Sequence, residues 1–315
     1  MYGRAKYIAL SGGESGVRDL LRLCGCDDTG VVGALVLPLL ATLLCCPFDV
    51  LALGDFPTAY TLNKGVVEGT FFFRLMNDNL PLAGNLAEER GEALEFKSYD
   101  FQLRVGFTDW LTGGVTGKFS DFTFGERQLD MRGVDVGLQV RALSEGRILP
   151  AIAGGVRYFN DRGTRERIED VTFRAGGLEN DGWALSLLAS KTFFGRLEST
   201  FQFEFRTSDA VAFDENTVGV GVAFRYQIMP RVSVGFHYLH LEVFRDPVED
   251  GSNNIFEGRM VFFATSFLAL QLRARAYTHL FQGEIPFLFR EASRFRNSPF
   301  GYVGVGITVF YDMLR

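Results

Sequence analysis

From about residue 65 to the C-terminus one pattern repeats: a run of alternating apolar and polar residues, then a connector. The connectors alternate as well, short then long. A period of two puts successive side chains on opposite faces of a strand. Tight turns at one end and long loops at the other belong to an up-and-down sheet closed on itself, with an apolar outer face for lipid. The pattern therefore predicts an all-β fold: a transmembrane antiparallel up-and-down β-barrel of about 12 strands.

The expected strands lie near 65–76, 96–108, 112–122, 132–143, 147–159, 182–193, 196–207, 216–228, 231–243, 255–265, 268–280 and 301–312. The second sets Tyr99, Phe101, Leu103, Val105 and Phe107 against Asp100, Gln102, Arg104 and Thr108. The seventh sets Leu197, Phe201, Phe203 and Phe205 against Glu198, Thr200, Gln202, Glu204 and Arg206. Short connectors are expected at 109–111, 144–146, 195–196, 229–231 and 266–267. Long ones are expected near 77–95, 123–131, 160–181, 208–215, 245–254 and 281–300. With both termini periplasmic, every long connector falls outside the cell. The last strand carries Val303, Val305, Ile307, Val309 and Tyr311. Outer-membrane barrels tend to end on such an aromatic-closed strand; here the tail Asp312-Met313-Leu314-Arg315 follows it.

Composition agrees. The chain is 47% hydrophobic and 14% aromatic, with 32 Phe among 315 residues, yet its mean hydropathy is only +0.09. A helical membrane protein needs uninterrupted apolar runs of about 20 residues, and none occurs past residue 60. A net charge of −6 argues against a nucleic-acid partner.

Residues 31–44 form the one strongly apolar run, interrupted by Pro38. It reads as the core of a signal peptide, with small residues at Ala52-Leu53-Gly54 for cleavage after Gly54. Asp27 and Asp28 directly ahead of it are unusual, so two readings stay open: a long leader, or a true start near residue 28 with an artefactual extension before it. The expected division is thus 1–54 signal peptide, 55–64 periplasmic lead-in and 65–315 barrel. Cys24, Cys26, Cys45 and Cys46 all precede the cleavage point. Leu44 and Cys45 stand before Cys45 and Cys46, where lipidated cysteines usually follow Gly, Ala or Ser. Lipidation is not expected.

On this register ten basic residues face the lumen: Arg74, Arg104, Lys118, Arg141, Arg157, Arg206, Arg225, Arg259, Arg273 and Arg275. Six acidic ones join them: Glu68, Asp100, Asp135, Glu198, Glu204 and Glu257. Rings of arginine select anions in pores, so one reading is a positively biased conduit for anionic solutes such as acidic oligosaccharides. The plainer reading is that arginine–carboxylate pairs bridge and fill a narrow lumen. A one-residue slip would invert any strand's assignment.

A hydrolase reading needs a nucleophile, a base and an orienting group. His237 and His240 lie on one strand and His279 on another, but no serine sits in a nucleophile motif. His237 and His240 point to opposite faces of their strand, which does not suit a shared metal. No catalytic residue, metal site or cofactor is expected. The loop at 281–300 carries Ile285-Pro286-Phe287-Leu288-Phe289 ahead of Arg290, Arg294 and Arg296. It reads as a lid or outer-leaflet anchor, or as a solvated loop with its own small apolar cluster.

Three segments together resemble YjbH-like outer-membrane proteins. Phe56-Pro57-Thr58-Ala59-Tyr60-Thr61-Leu62 with Gly65 resembles that family's lead into its first strand. Val136-Gly137-Leu138-Gln139-Val140-Arg141, then Leu149-Pro150-Ala151 and Gly155-Val156-Arg157, is similar to its strand–turn–strand pattern, and Leu188-Ala189-Ser190-Lys191 to its next strand. The resemblance covers part of the N-terminal half. It implies an outer-membrane barrel linked to exopolysaccharide export, and it carries no catalytic residues.

The expectation is a narrow, porin-like channel or export-associated barrel for anionic saccharides in the outer membrane of a Gram-negative bacterium. The alternatives are a plugged structural or adhesive barrel whose loops bind partners, and, more remotely, a membrane-embedded lipid hydrolase. Expected partners are outer-membrane lipids, the barrel-insertion machinery and an anionic polysaccharide.

Overall fold

The computed structural model describes residues 56–76, 94–124, 127–168, 171–173, 179–210, 213–246, 250–279 and 300–314. The leader, the four cysteines and the apolar cluster Ile285–Phe289 lie outside them.

The strands are β1 (Val66–Met76), β2 (Leu94–Thr108), β3 (Leu111–Phe124), β4 (Arg127–Leu143), β5 (Ala151–Ile168), β6 (Val171–Phe173), β7 (Glu179–Phe193), β8 (Leu197–Ala210), β9 (Phe213–Met229), β10 (Val232–Asp246), β11 (Gly251–Phe263), β12 (Leu268–Tyr277) and β13 (Phe300–Asp312). Apart from β6, strands adjacent in sequence pair antiparallel, with β5 pairing with β7, and β1 also pairs with β13, so the sheet closes without an edge. Twelve strands make the cylinder. The three-residue β6 folds back onto the end of β5, opposite Glu166–Ile168. Closure removes the unpaired strand edge that a membrane cannot hydrate.

The alternation turns this sheet inside out. Phe101, Val136, Phe201 and Leu272 are 49–53% exposed, whereas Arg104, Asp135, Gln202 and Arg273, one to three residues away, are 6–8% exposed. Apolar side chains cover the outer face and polar ones fill the inside, the arrangement lipid requires. Aromatic residues mark both borders of the outer band. Tyr158 and Trp183 pair across β5 and β7 with ring centroids 5.1 Å apart toward the long-loop end. Trp110 and Phe267 stand exposed at the short-turn end.

The connectors differ from the expected parity. The segments expected as long loops at 123–131 and 208–215 are mostly strand, with β3 and β4, and β8 and β9, each separated by two residues. β10 and β11 are separated by four. A tilted strand crosses the hydrocarbon in about 9–11 residues, and β4 and β9 have 17. The surplus continues the hairpin past the apolar band. There the outer face turns polar at Asp121, Asp130 and Arg132, so the sequence loses its apolar period while the backbone keeps its ladder. Conversely, residues 147–150 are not strand, and β5 begins only after Pro150, which lacks the amide proton a ladder needs.

Two local features fix the cylinder. The three-residue β7–β8 connector places Phe194 and Gly195 at φ 53° and 65°, and the Arg196 amide closes the turn on the Phe193 carbonyl at 3.1 Å. At the β1–β13 seam the Phe72 ring turns inward against Gly304 and Gly306; a Cβ on Gly304 would lie 2.5 Å from that ring.

Candidate functional site in the barrel lumen

The chain enters its own barrel before the first strand begins. Residues 56–64 cross the short-turn end of the lumen, and Phe56, Thr58, Ala59, Thr61 and Leu62 are buried. Thr58 donates to Glu198 on β8 at 2.5 Å, and Gln139 on β4 donates to the Thr58 carbonyl at 2.8 Å. The Ala59 amide donates to Ser190 on β7 at 2.7 Å, and its methyl packs on Ala151, Ala153 and Leu188. The Leu62 amide donates to Thr112 on β3 at 2.9 Å. Phe56 reaches the far wall, edge-on to His237 with centroids 6.4 Å apart and 5.2 Å beneath the Arg259 guanidinium. Gly235 leaves room for it: a Cβ there would sit 3.0 Å from the Phe56 ring.

Tyr60 anchors the segment to the β4–β5 turn. Its hydroxyl donates to Glu145 and lies 2.8 Å from Thr192. Burial, then the Glu145 carboxylate, push the Tyr60 hydroxyl well above its ordinary value. Burial pushes Glu145 the other way from its partners, but hydrogen bonds from Tyr60, the Thr192 amide and Lys191 leave its carboxyl below the usual range.

Above this strap is a cavity of about 440 Å³, with Pro57 on its lining. Seven cations line it: Arg74, Arg104, Lys118, Arg157, Arg206, Arg273 and Arg275. Four carboxylates do so: Asp100, Asp135, Asp161 and Glu204. Glu68 and Glu257, just behind the lining, pair with Arg104 and with Arg273 and Arg275, so the seven cations meet six carboxylates in all.

All sixteen candidate lumen residues sit at inward positions, and the register sorts them into groups. Arg74 meets Asp100 at 2.6 Å and Ser98 at 3.0 Å. Arg104 meets Glu68 at 3.5 Å. Lys118 and Arg157 share Asp135 at 2.7 and 3.6 Å, and Lys118 also reaches Asp161 at 3.7 Å. Arg225 pairs with Glu198. Glu257 is the hub of three arginines: Arg259 at 3.0 Å, Arg273 at 3.6 Å, and Arg275 through Nε at 2.7 Å. Arg141 sits lower and donates to the Asp109 carbonyl at 2.5 Å. Gln202 donates to Glu204 at 3.1 Å. Several guanidiniums also stack on inward aromatics. Arg206 lies 4.0 Å from the Phe159 centroid, Arg273 4.5 Å from Phe72, and Arg74 5.4 Å from Tyr302. Stacking fixes a guanidinium's plane while leaving donor edges toward the cavity.

Sequence reading missed three kinds of lumen residue. Asp161 falls in a stretch read as loop. Phe72, Phe96, Phe159 and Tyr302 are aromatic and inward; the run Phe71-Phe72-Phe73 is the signal, since it cannot put all three rings in lipid. The strap itself carries no period. His237 faces inward and is buried, whereas His240 faces outward, with Nδ1 2.9 Å from Asn254 and Nε2 2.9 Å from Glu242.

No family model matches the sequence, and no curated protein does. Solved structures do match in fold. An outer membrane channel from Pseudomonas putida F1 superposes with a TM-score of 0.50 and 12% identity, over 83% of this chain and 100% of that one. A KdgM porin in complex with disordered oligogalacturonate gives 0.49 and 6%, over 76% and 98%. The translocator domain of the autotransporter NalP from Neisseria meningitidis gives 0.47 and 8%, over 88% and 97%. The chain has the fold of bacterial outer-membrane β-barrels.

Proposed function

We propose that this chain is a narrow outer-membrane channel for anionic saccharides, a conduit and not an enzyme. One observation carries the reading: the cavity above the strap is lined by seven cations and four carboxylates, on inward positions of a closed membrane barrel. Fixed cations in a low-dielectric wall attract anions and repel cations. The cavity's size falls in the range that holds small organic ligands. Its wall mixes hydrogen-bonding side chains with aromatic rings, which suits a sugar acid better than a bare inorganic ion. The resemblance to YjbH-like proteins favours an exopolysaccharide as the source of such saccharides.

The strap favours a second reading. A segment buried across the short-turn end, hydrogen-bonded to β3, β4, β7 and β8, also suits a plugged barrel that presents its loops to partners. Uptake by proteoliposomes separates the two. In liposomes holding the refolded chain, the channel reading expects galacturonate to enter faster than galactose, and Arg→Ala changes at Arg104, Arg206 or Arg273 to narrow the difference. No flux of either solute through a folded barrel would move the account to the plugged reading.

A further inference from the structure

One cross-strand row on the inner wall lines the cavity along its whole course. Arg206 on β8 faces Ala184 on β7, which faces Arg157 on β5. Arg157 faces Gly137 on β4, then come Gly114 on β3 and Arg104 on β2. All six border the cavity. The arginines are thus separated only by residues with little or no side chain, which leaves a shelf with a backbone floor. The glycines also seat the arginine stems. A Cβ on Gly114 would lie 3.1 Å from Arg104 Cγ, and one on Gly137 would lie 3.6 Å from Arg157 Cβ.

The rows on either side are mainly neutral hydrogen-bonding groups that border the same cavity. On one side run Ser186, Gln139 and Thr112, beginning at Glu204. On the other run Thr116, Gln102 and Thr70, beginning at Phe159 and Asp135. Asp135 is held by Lys118 and Arg157, and Glu204 accepts from Gln202. Cations spaced along one row, flanked by amides and hydroxyls, suit a ligand that carries several carboxylates among many hydroxyls.

The spacing sets the ligand's length. Neighbouring strands lie about 4.8 Å apart, so along the curved wall the Arg206 and Arg157 backbones are two strand spacings apart and those of Arg157 and Arg104 three. A ligand that engages all three arginines must therefore carry carboxylates on several sugar units and not on one. We propose that the row Arg206–Arg157–Arg104 is a binding shelf for a linear oligouronate, held lengthwise by arginine–carboxylate pairs. This rests on the channel reading above and narrows its substrate from anionic sugars to acidic chains of several units.

The test is binding of galacturonate oligomers to the refolded full chain in detergent, followed by titration calorimetry, beside the anion/cation selectivity of the same preparation in bilayers. Trimer and pentamer are expected to bind at least tenfold more tightly than the monomer, and neutral maltopentaose not at all. Arg157→Gln is expected to cut pentamer affinity about tenfold. Equal affinity for monomer and pentamer, or tight binding of maltopentaose, overturns the shelf. If anion selectivity persists in that case, the channel reading stands without it; if selectivity is absent too, both fall. The length series needs no variant, so it decides the matter even where Arg157→Gln does not fold.

Discussion

Thr58 donates a 2.5 Å hydrogen bond to Glu198, the same carboxylate that pairs with Arg225 across β8 and β9. One acidic group therefore ties the strap to the wall and holds a buried cation. Both members of the ion pair are nearly inaccessible, with side chains 6–8% exposed. Removing one partner of such a pair leaves the other charge buried and uncompensated, which costs about 3–5 kcal/mol. Glu198→Gln should destabilise the barrel on that scale, measured by urea unfolding in micelles. Thr58→Val loses two neutral-donor hydrogen bonds, the one to Glu198 and a 3.3 Å one from the Tyr60 amide, and should cost about 1–2 kcal/mol. Equal effects of the two would show that the Arg225 pair is not the larger contribution.

The strap narrows the lumen at the short-turn end. Replacing Tyr60 by Phe removes its hydroxyl contacts with Glu145 and Thr192. Trimming Phe56 to Ala withdraws the ring from Gly235, His237 and Arg259. The double variant should raise single-channel conductance while keeping its sign of selectivity. An unchanged conductance would mean that the strap does not lie in the path of the ions.

The anchor at Tyr60 should depend on pH in a defined direction. Glu145 has a lowered pKa in the folded chain. Its contribution is present above the ordinary glutamate value of about 4.3 and fades as pH falls below it. Tyr60 has a raised pKa. Its contribution is present below the ordinary tyrosine value of about 10 and fades as pH rises beyond it. Hydrogen exchange of the Ala59 and Leu62 amides, corrected for intrinsic rates, should show greatest protection between these limits. Protection that peaks outside that window would contradict the assignment.

The β1–β13 seam depends on space and not on backbone freedom. Valine at Gly304 would force its Cβ into the Phe72 ring, and overpacking of this kind costs about 1–3 kcal/mol. At Gly69, on the outer face of the same seam, a Cβ would meet nothing within 4 Å. Gly304→Val should lower the temperature at which the barrel's gel mobility changes, and Gly69→Ala should not.

Much of this fold is legible in the sequence because lipid imposes a strict rule. Each spanning strand must alternate, and β2, β8 and β9 do so across the apolar band, over Tyr99–Phe107, Phe201–Phe205 and Val218–Tyr226. The rule lapses where lipid ends. The outward Asp121 and Asp130 stand beyond the apolar band, so the hairpin ends of β3 and β4 read as loop although they remain paired. The inward parity of the arginines follows from the same alternation. Their partners do not, because the hub at Glu257 joins residues on β11 and β12 that only the register brings together. Inward rings such as Phe72 and Tyr302 escape a reading that sends every aromatic residue outward. The strap escapes entirely: its fit depends on Ala59 meeting Ala151 and Ala153, a match of small surfaces with no period to betray it.

The most direct test of an anion-biased lumen is the zero-current potential of the refolded chain in a planar bilayer under a potassium chloride gradient. The account predicts a potential toward the chloride equilibrium value, moving toward zero when Arg104, Arg157 and Arg206 are replaced by Gln. A folded, conducting barrel whose potential lies toward the potassium value would contradict it.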